Sequence, residues 1–338
     1  MSMIEDSPRY RRTQILLPGV LTSIMVGLAA KFISEHYGAP VMLMALLLGM
    51  SLAFLSEAGA ATAPGIEFAS KSLLRIGVAL LGLGITVQQI AATGWVVLVI
   101  TLAGVALTIA LGVGLAKLLG TRPLFGLLAG GAVAICGASA ALAIASVMPK
   151  DERDLERNTA FTVISVTALS TLAMILYPMI TAALNLPDHL AGVFFGATIH
   201  DVAQVVGAGY SISDEAGATA TLIKLIRVSL LVPIVITLSL IFAKKNASAG
   251  EKALPLPFFV LAFAAFVLIG SLNLLPPVVT ASLLDLSRWC LVTAIAALGM
   301  KTSLRKLSDV GGKAIFLICA LTTLLAIYAL VMILAFVN

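Results

Sequence analysis

The chain reads as an all-α polytopic membrane protein with about nine to eleven transmembrane segments. Three observations predict this. Apolar runs of 18 or more residues recur along its 338 residues, the length a helix needs to cross a bilayer. Hydrophobic residues make up 60% of the chain and charged residues 11%, well under the charge content of a soluble domain. Its Lys and Arg sit mostly in short connecting loops, where they set orientation. The net charge of +5 therefore marks topology, and nucleic acid is excluded as a partner. No polar stretch is long enough for a soluble domain, so residues 1–338 read as one integral membrane domain with 1–14 as a cytoplasmic tail.

The apolar segments fall at about 15–34, 40–56, 66–90, 94–118, 123–148, 159–183, 190–210, 217–242, 255–273, 277–300 and 314–337. The charged MSMIEDSPRYRRTQ leads straight into the first of them with no clear A-x-A site, which predicts an uncleaved first span. Cys136, Cys290 and Cys319 lie inside apolar segments and form neither a disulfide framework nor a zinc spacing.

Two segments are unusual. The fifth carries Gly126, Gly130, Gly131 and Gly137; the seventh carries Gly192, Gly196, Gly207 and Gly209. Glycine weakens helices, so these are the places for broken or re-entrant helices. Close helix packing through small residues is the alternative. Loop charge favours re-entry. Arg9, Arg11 and Arg12 put the N-terminus inside, and Lys117 and Arg122 follow inside by counting spans. If segments five and seven both dip and return, Lys150, Arg153 and Arg157 stay inside. The groups around Lys244, Lys245 and Lys252, and around Lys301, Arg305, Lys306 and Lys313, then fall inside too. The C-terminus is then outside. Gly131, Ala132 and Ser139 share their spacing with Gly196, Ala197 and Gln204. LLGLGITVQQI (80–90) likewise resembles IAALGMKTSLRKL (295–307). Both pairs would run in opposite directions, the pattern of inverted repeats in secondary transporters.

Four constellations carry chemistry. In GATIHDVAQ (196–204), His200 and Asp201 stand midway along an apolar segment. Intramembrane ionisable groups are costly and belong to a cavity, a pair or an ion pathway, and histidine titrates near neutral pH. This makes His200 and Asp201 candidates for a coupling site for H+ or Na+; the alternative is a structural hydrogen bond. In GGAVAICGASA (130–140), Gly131 and Gly137 expose backbone N–H groups and Ser139 adds a hydroxyl. A half-helix starting there would aim its positive end at an anion. In KLIR (224–227), Lys224 and Arg227 share a helix face. Arg227 is roughly 15 Å deep at 1.5 Å per residue, so it needs an acidic partner such as Asp201 or an anionic substrate. Asp285 and Arg288 are three apart and deep in segment ten, a candidate buried charge pair. Glu67, Lys71 and Arg75, spaced by four, suit a mutually paired turn at the membrane face. His36 and His189 read as loop residues without signal.

LRIGVALLGLGIT, GGAVAICGASAALA, ATIHDVAQVVGAGY, KLIRVSLLVP and CLVTAIAALGMKTSL together resemble the YeiH-type family of bacterial membrane proteins, labelled sulfate exporters, over nearly the whole chain. The resemblance implies a multi-pass protein of the bacterial inner membrane. It also implies a distant likeness to the bile acid–sodium symporter and cation–proton antiporter folds, with discontinuous helices at the substrate site.

The reading that follows is a secondary active transporter of a small anion, such as sulfate or a related sulfur oxyanion. Gly131, Gly137, Ser139, Gln204 and Arg227 would hold the anion, and His200 or Asp201 would carry the coupling ion. No cofactor, metal or enzymatic activity is expected. The expected partners are the anion and the lipid bilayer, with a homo-oligomer left open. Two rivals stand beside it: a cation–proton antiporter using Asp201, and an intramembrane enzyme using His200 and Asp201 as acid and base.

Overall fold

The structure is a computed structural model that describes residues 8–88, 94–149, 154–242, 258–302 and 312–337. Lys150, Arg153, Lys244, Lys245, Lys252, Arg305 and Lys306, on which much of the topology expectation leans, lie outside the described residues. The described residues are helices and their connections. Helix α1 (Pro8–Tyr37) takes in half of the expected tail. It is followed by α2 (Val41–Ser51) and a short 3₁₀ turn. A composite helix comes next: α3 (Ala63–Phe68), a π-helical turn (Ala69–Leu73) and α4 (Leu74–Leu81). Then come α5 (Gly94–Leu118), α6 (Pro123–Ala134), α7 (Ala138–Val147) and α8 (Leu155–Ala183). They are followed by α9 (Asp188–Thr198), α10 (Val202–Tyr210), α11 (Asp214–Ser229) and α12 (Leu231–Phe242). The last are α13 (Phe258–Ser271), α14 (Pro277–Lys301) and α15 (Gly312–Phe336). Among the described residues, six helical stretches are long and apolar enough to span a bilayer, α11 and α12 counting as one.

The Gly-rich segments fold as hairpins. At 1.5 Å per residue each arm is about 14–18 Å long, half of a bilayer's hydrocarbon core. In the first, the Ile144 side chain of α7 covers Gly131 of α6, which requires α7 to run back alongside α6. In the second, a Cβ on Gly192 would stand 2.7 Å from Ala216 O, and one on Gly209 would stand 3.0 Å from that same atom. The start of α9 and the end of α10 therefore lie at one level, against the first turn of α11. Helix α8, whose 29 residues span about 44 Å, joins the two hairpins, so they open to opposite faces. The glycine question has two answers. Gly137 makes the break, because φ of 59° and ψ of −124° suit no other residue. The remaining glycines of these segments that meet neighbouring helices serve packing.

The helices pack most closely in two groups. One holds the hairpins with α5, α8, α11 and α15; the other holds α1 to α4 with α13 and α14. Buried Leu, Ile, Val, Ala and Phe form one continuous core that runs through both groups. Cys136 is buried, and all three cysteines are free thiols.

Candidate functional site

The two hairpin tips meet: a Cβ on Gly137 would lie 3.6 Å from both Cβ and O of His200. The carboxyl ends of α6 and α9 thus converge, and each leaves carbonyls without intrahelical donors. Lys224 and Arg227, one turn apart on α11, supply those donors. Lys224 Nζ donates to Ile135 O (2.7 Å), Ile199 O (3.0 Å) and His200 O. Arg227 donates from Nε to Ala134 O (2.8 Å) and from Nη2 to Val133 O (2.9 Å). Its Nη1 donates to Gly196 O (2.9 Å) and Ile199 O (3.2 Å). Both side chains are essentially unexposed, at 0% and 1%. Two cations at two helix C-termini are electrostatically favourable. The guanidinium expected to hold an anion is therefore occupied by main-chain oxygens.

His200 and Asp201 diverge. His200 is buried, with Nδ1 3.2 Å from Val133 O and Nε2 2.9 Å from Thr322 Oγ1. A carbonyl only accepts, so a neutral ring carries its proton on Nδ1; its Nε2 faces the Thr322 hydroxyl, whose one proton is shared with Ile318 O at 2.8 Å. Asp201 points the other way. It caps α10, its Oδ1 accepting from Val202 N (2.8 Å), while its own N–H donates to Ser170 Oγ (2.8 Å).

Asp201 lines a cavity of about 520 Å³ between the two helix groups. Ala138 and Ser139, the first residues of α7, line it too, as do Val202 and Ala203 at the start of α10. Two half-helices thus present their positive N-terminal ends to one space, and the α7 terminus has no side-chain cap. Lys71, Arg75 and Lys301 bring three cations to the same wall. Glu67 binds both Lys71 and Lys301. Arg75, expected to pair in that turn, has no hydrogen-bonding or ionic partner among the described residues. A second cavity, of about 660 Å³, touches Gly84 and Ile85 at the far end of the same composite helix. His189, Asp214, Glu215 and Thr219 line it.

Of the other expected site residues, Gly131 lies under Ile144, outside the cavity lining. Gly137 forms the break whose next residue, Ala138, reaches the cavity. Gln204 is fully buried beside α8. It donates to Thr171 Oγ1 (3.4 Å), and its Oε1 has no partner among the described residues. Asp285 and Arg288 do pair, at 3.6 Å, but they are 70% and 55% exposed, so the pair is not buried. They face away from the packed side of α14, and Arg288 also reaches Asp214 Oδ2 at 3.2 Å, bridging the two helix groups. His189 stands in the first turn of α9, not in a loop. Among the described residues no cluster of His, Cys, Asp or Glu has metal-binding geometry.

Residues 18–318 match the family described as conserved hypothetical protein 698. The chain is 56% identical over 315 residues to the UPF0324 membrane protein CT0845 of Chlorobaculum tepidum, covering 93% of this chain and 88% of that one. It is 52% identical over 314 residues to the UPF0324 membrane protein TauZ of Paracoccus denitrificans, covering 92% and 93%. A UPF0324 membrane protein of Bacillus cereus is 33% identical over 303 residues, with 88% of each chain covered. On this match and these identities, the chain belongs to the UPF0324 family of membrane proteins, the YeiH-type group.

Proposed function

We propose that the chain is a secondary active transporter of a small anion in the bacterial inner membrane, and that the anion binds in the cavity lined by Ser139 and Asp201. The observation that carries this reading is the convergence of the α7 and α10 N-termini on one space walled by Lys71, Arg75 and Lys301. Helix N-termini offer N–H donors and positive potential to oxyanions. Ser139 adds a hydroxyl. Sulfate and related sulfur oxyanions are the cargo class that this chemistry fits.

Of the two coupling candidates, Asp201 shares the cavity. A carboxylate beside a bound anion repels it, and a proton or sodium ion on Asp201 relieves the repulsion, so cargo and coupling ion favour each other's binding. His200 acts as a tie between α6, the second hairpin and α15. The second cavity, just past the carboxyl end of the composite helix whose middle lines the first, supports the reading by offering a second of the two access routes that alternation between faces requires.

A cation–proton antiporter using Asp201 is the second reading, favoured by the carboxylate at the cavity wall. Strict pH dependence without anion dependence would select it. What speaks against the enzyme reading is that His200 and Asp201 face different surroundings, so no single substrate meets both. The test is a thermal-shift screen of the purified chain against sulfate, sulfite, alkanesulfonates and carboxylates. A ligand at 100 times its Kd adds about 2.7 kcal/mol. Stabilisation by an oxyanion that Ser139→Ala diminishes supports the proposal. No stabilisation by any of the anions would refute it.

A further inference from the structure

We infer that Arg75 is the specificity-determining residue of the anion site, and that it selects cargo with two oxygens able to meet a guanidinium fork. The inference rests on the anion reading above and adds to it the residue that chooses the head group.

Three observations lead there. The first is a process of pairing. Of the three cations on the cavity wall, Lys71 and Lys301 are both bound by Glu67. Arg75 is the third, and among the described residues nothing neutralises it. Its guanidinium, exposed to the cavity beside Leu74, Val78 and Phe259, is left free to take an anion.

The second is backbone placement. Arg75 is the second residue after the π-helical turn Ala69–Leu73. Such a turn adds a residue to the helical repeat and re-aims the side chains after it, and π-turns concentrate at functional sites. The same helix is anchored two residues later, where Ser287 Oγ donates to Gly77 O at 2.6 Å. Arg75 is thus carried on a backbone held firmly against α14.

The third is the opposite wall. Ser139 and the α7 N-terminus belong to the other helix group. An oxyanion gripped by Arg75 on one side and by Ser139 on the other would draw the two groups together around it. Guanidinium binds carboxylate, sulfonate and sulfate through paired N–H donors; an ammonium meets them as a point charge. A single-atom anion such as chloride cannot use the fork.

The test measures affinities of sulfate, methanesulfonate, acetate and chloride for the purified full chain by calorimetry, with melting curves to check folding. The wild-type chain is expected to prefer the oxyanions. Arg75→Gln should weaken oxyanion binding about 10- to 100-fold, the loss of a charge-assisted bidentate contact. Arg75→Lys should restore part of the affinity while narrowing the ratio of oxyanion to chloride, which a merely structural role would not move. Oxyanion binding in Arg75→Gln equal to wild type, with Ser139→Ala impaired, overturns Arg75's role and leaves the anion site standing. Unchanged oxyanion-to-chloride selectivity in Arg75→Lys overturns the fork. Absence of any oxyanion binding by the wild-type chain overturns the anion reading and Arg75's role together.

Discussion

Arg227→Met separates a scaffold from a ligand. Methionine fills the space of the arginine's aliphatic stem, and the substitution removes the guanidinium donors. Arg227 serves four carbonyls. Val133 O keeps a partner in His200 Nδ1, and Ile199 O keeps Lys224 Nζ. Ala134 O and Gly196 O lose the donor that Arg227 supplies. A buried polar group left without its partner costs about 1–3 kcal/mol. Two such groups put the loss at about 2–6 kcal/mol, a large part of the 5–15 kcal/mol that typically holds a folded protein. Arg227→Lys should recover less than half, since an ammonium lacks the planar fork whose separate nitrogens reach four carbonyls at once. The assay is thermal melting of the purified protein followed by intrinsic fluorescence, with oxyanion affinity measured on whatever fraction stays folded. A marked drop in melting temperature is the expected result. Unchanged melting with lost affinity would refute the scaffold role and return Arg227 to the substrate.

Two further outcomes follow from the hairpins and the clefts. Single cysteines at Thr121 and Glu156, in an otherwise cysteine-free chain, should share one labelling side in intact cells. Cysteines at Asn185 and Ser211 should share the other; a split within either pair would show that the segment crosses. A bifunctional methanethiosulfonate cross-link of arginine's reach between Asp214→Cys and Arg288→Cys should stop transport reversibly, because it holds closed the cleft between the helix groups at that end. Full transport by the cross-linked protein would mean that this cleft does not open.

The membrane fold and its two breaks were legible in the sequence for a simple reason. Long apolar runs have one stable solution in a bilayer, and Gly137 marks a backbone turn by its residue type. The site was less so. GATIHDVAQ pointed correctly to a hairpin tip, but adjacency in sequence hid that His200 and Asp201 leave that tip in different directions. Lys224 and Arg227 announced a need for negative charge, yet their partners are main-chain carbonyls, which every residue has and no sequence pattern displays. Arg75 looked paired by its spacing of four from Lys71. The one carboxylate of that turn, Glu67, lies eight residues from Arg75 and holds Lys71 and Lys301, the latter from 234 residues away. Asp285 and Arg288 were placed by depth along the chain, and depth does not reveal which side of a helix faces the packed interior.

The most direct measurement is oxyanion uptake into proteoliposomes under imposed proton and sodium gradients, comparing wild type, Asp201→Asn and His200→Gln. Asp201→Asn keeps size and hydrogen bonding and removes the titratable charge. Wild-type uptake should follow one of the two gradients. Asp201→Asn should bind the oxyanion yet no longer respond to that gradient, whereas His200→Gln, though less stable, should still respond. Gradient-driven uptake that persists in Asp201→Asn, or wild-type vesicles that accumulate no oxyanion under either gradient, would contradict an anion transporter coupled through the carboxylate at the hairpin tip.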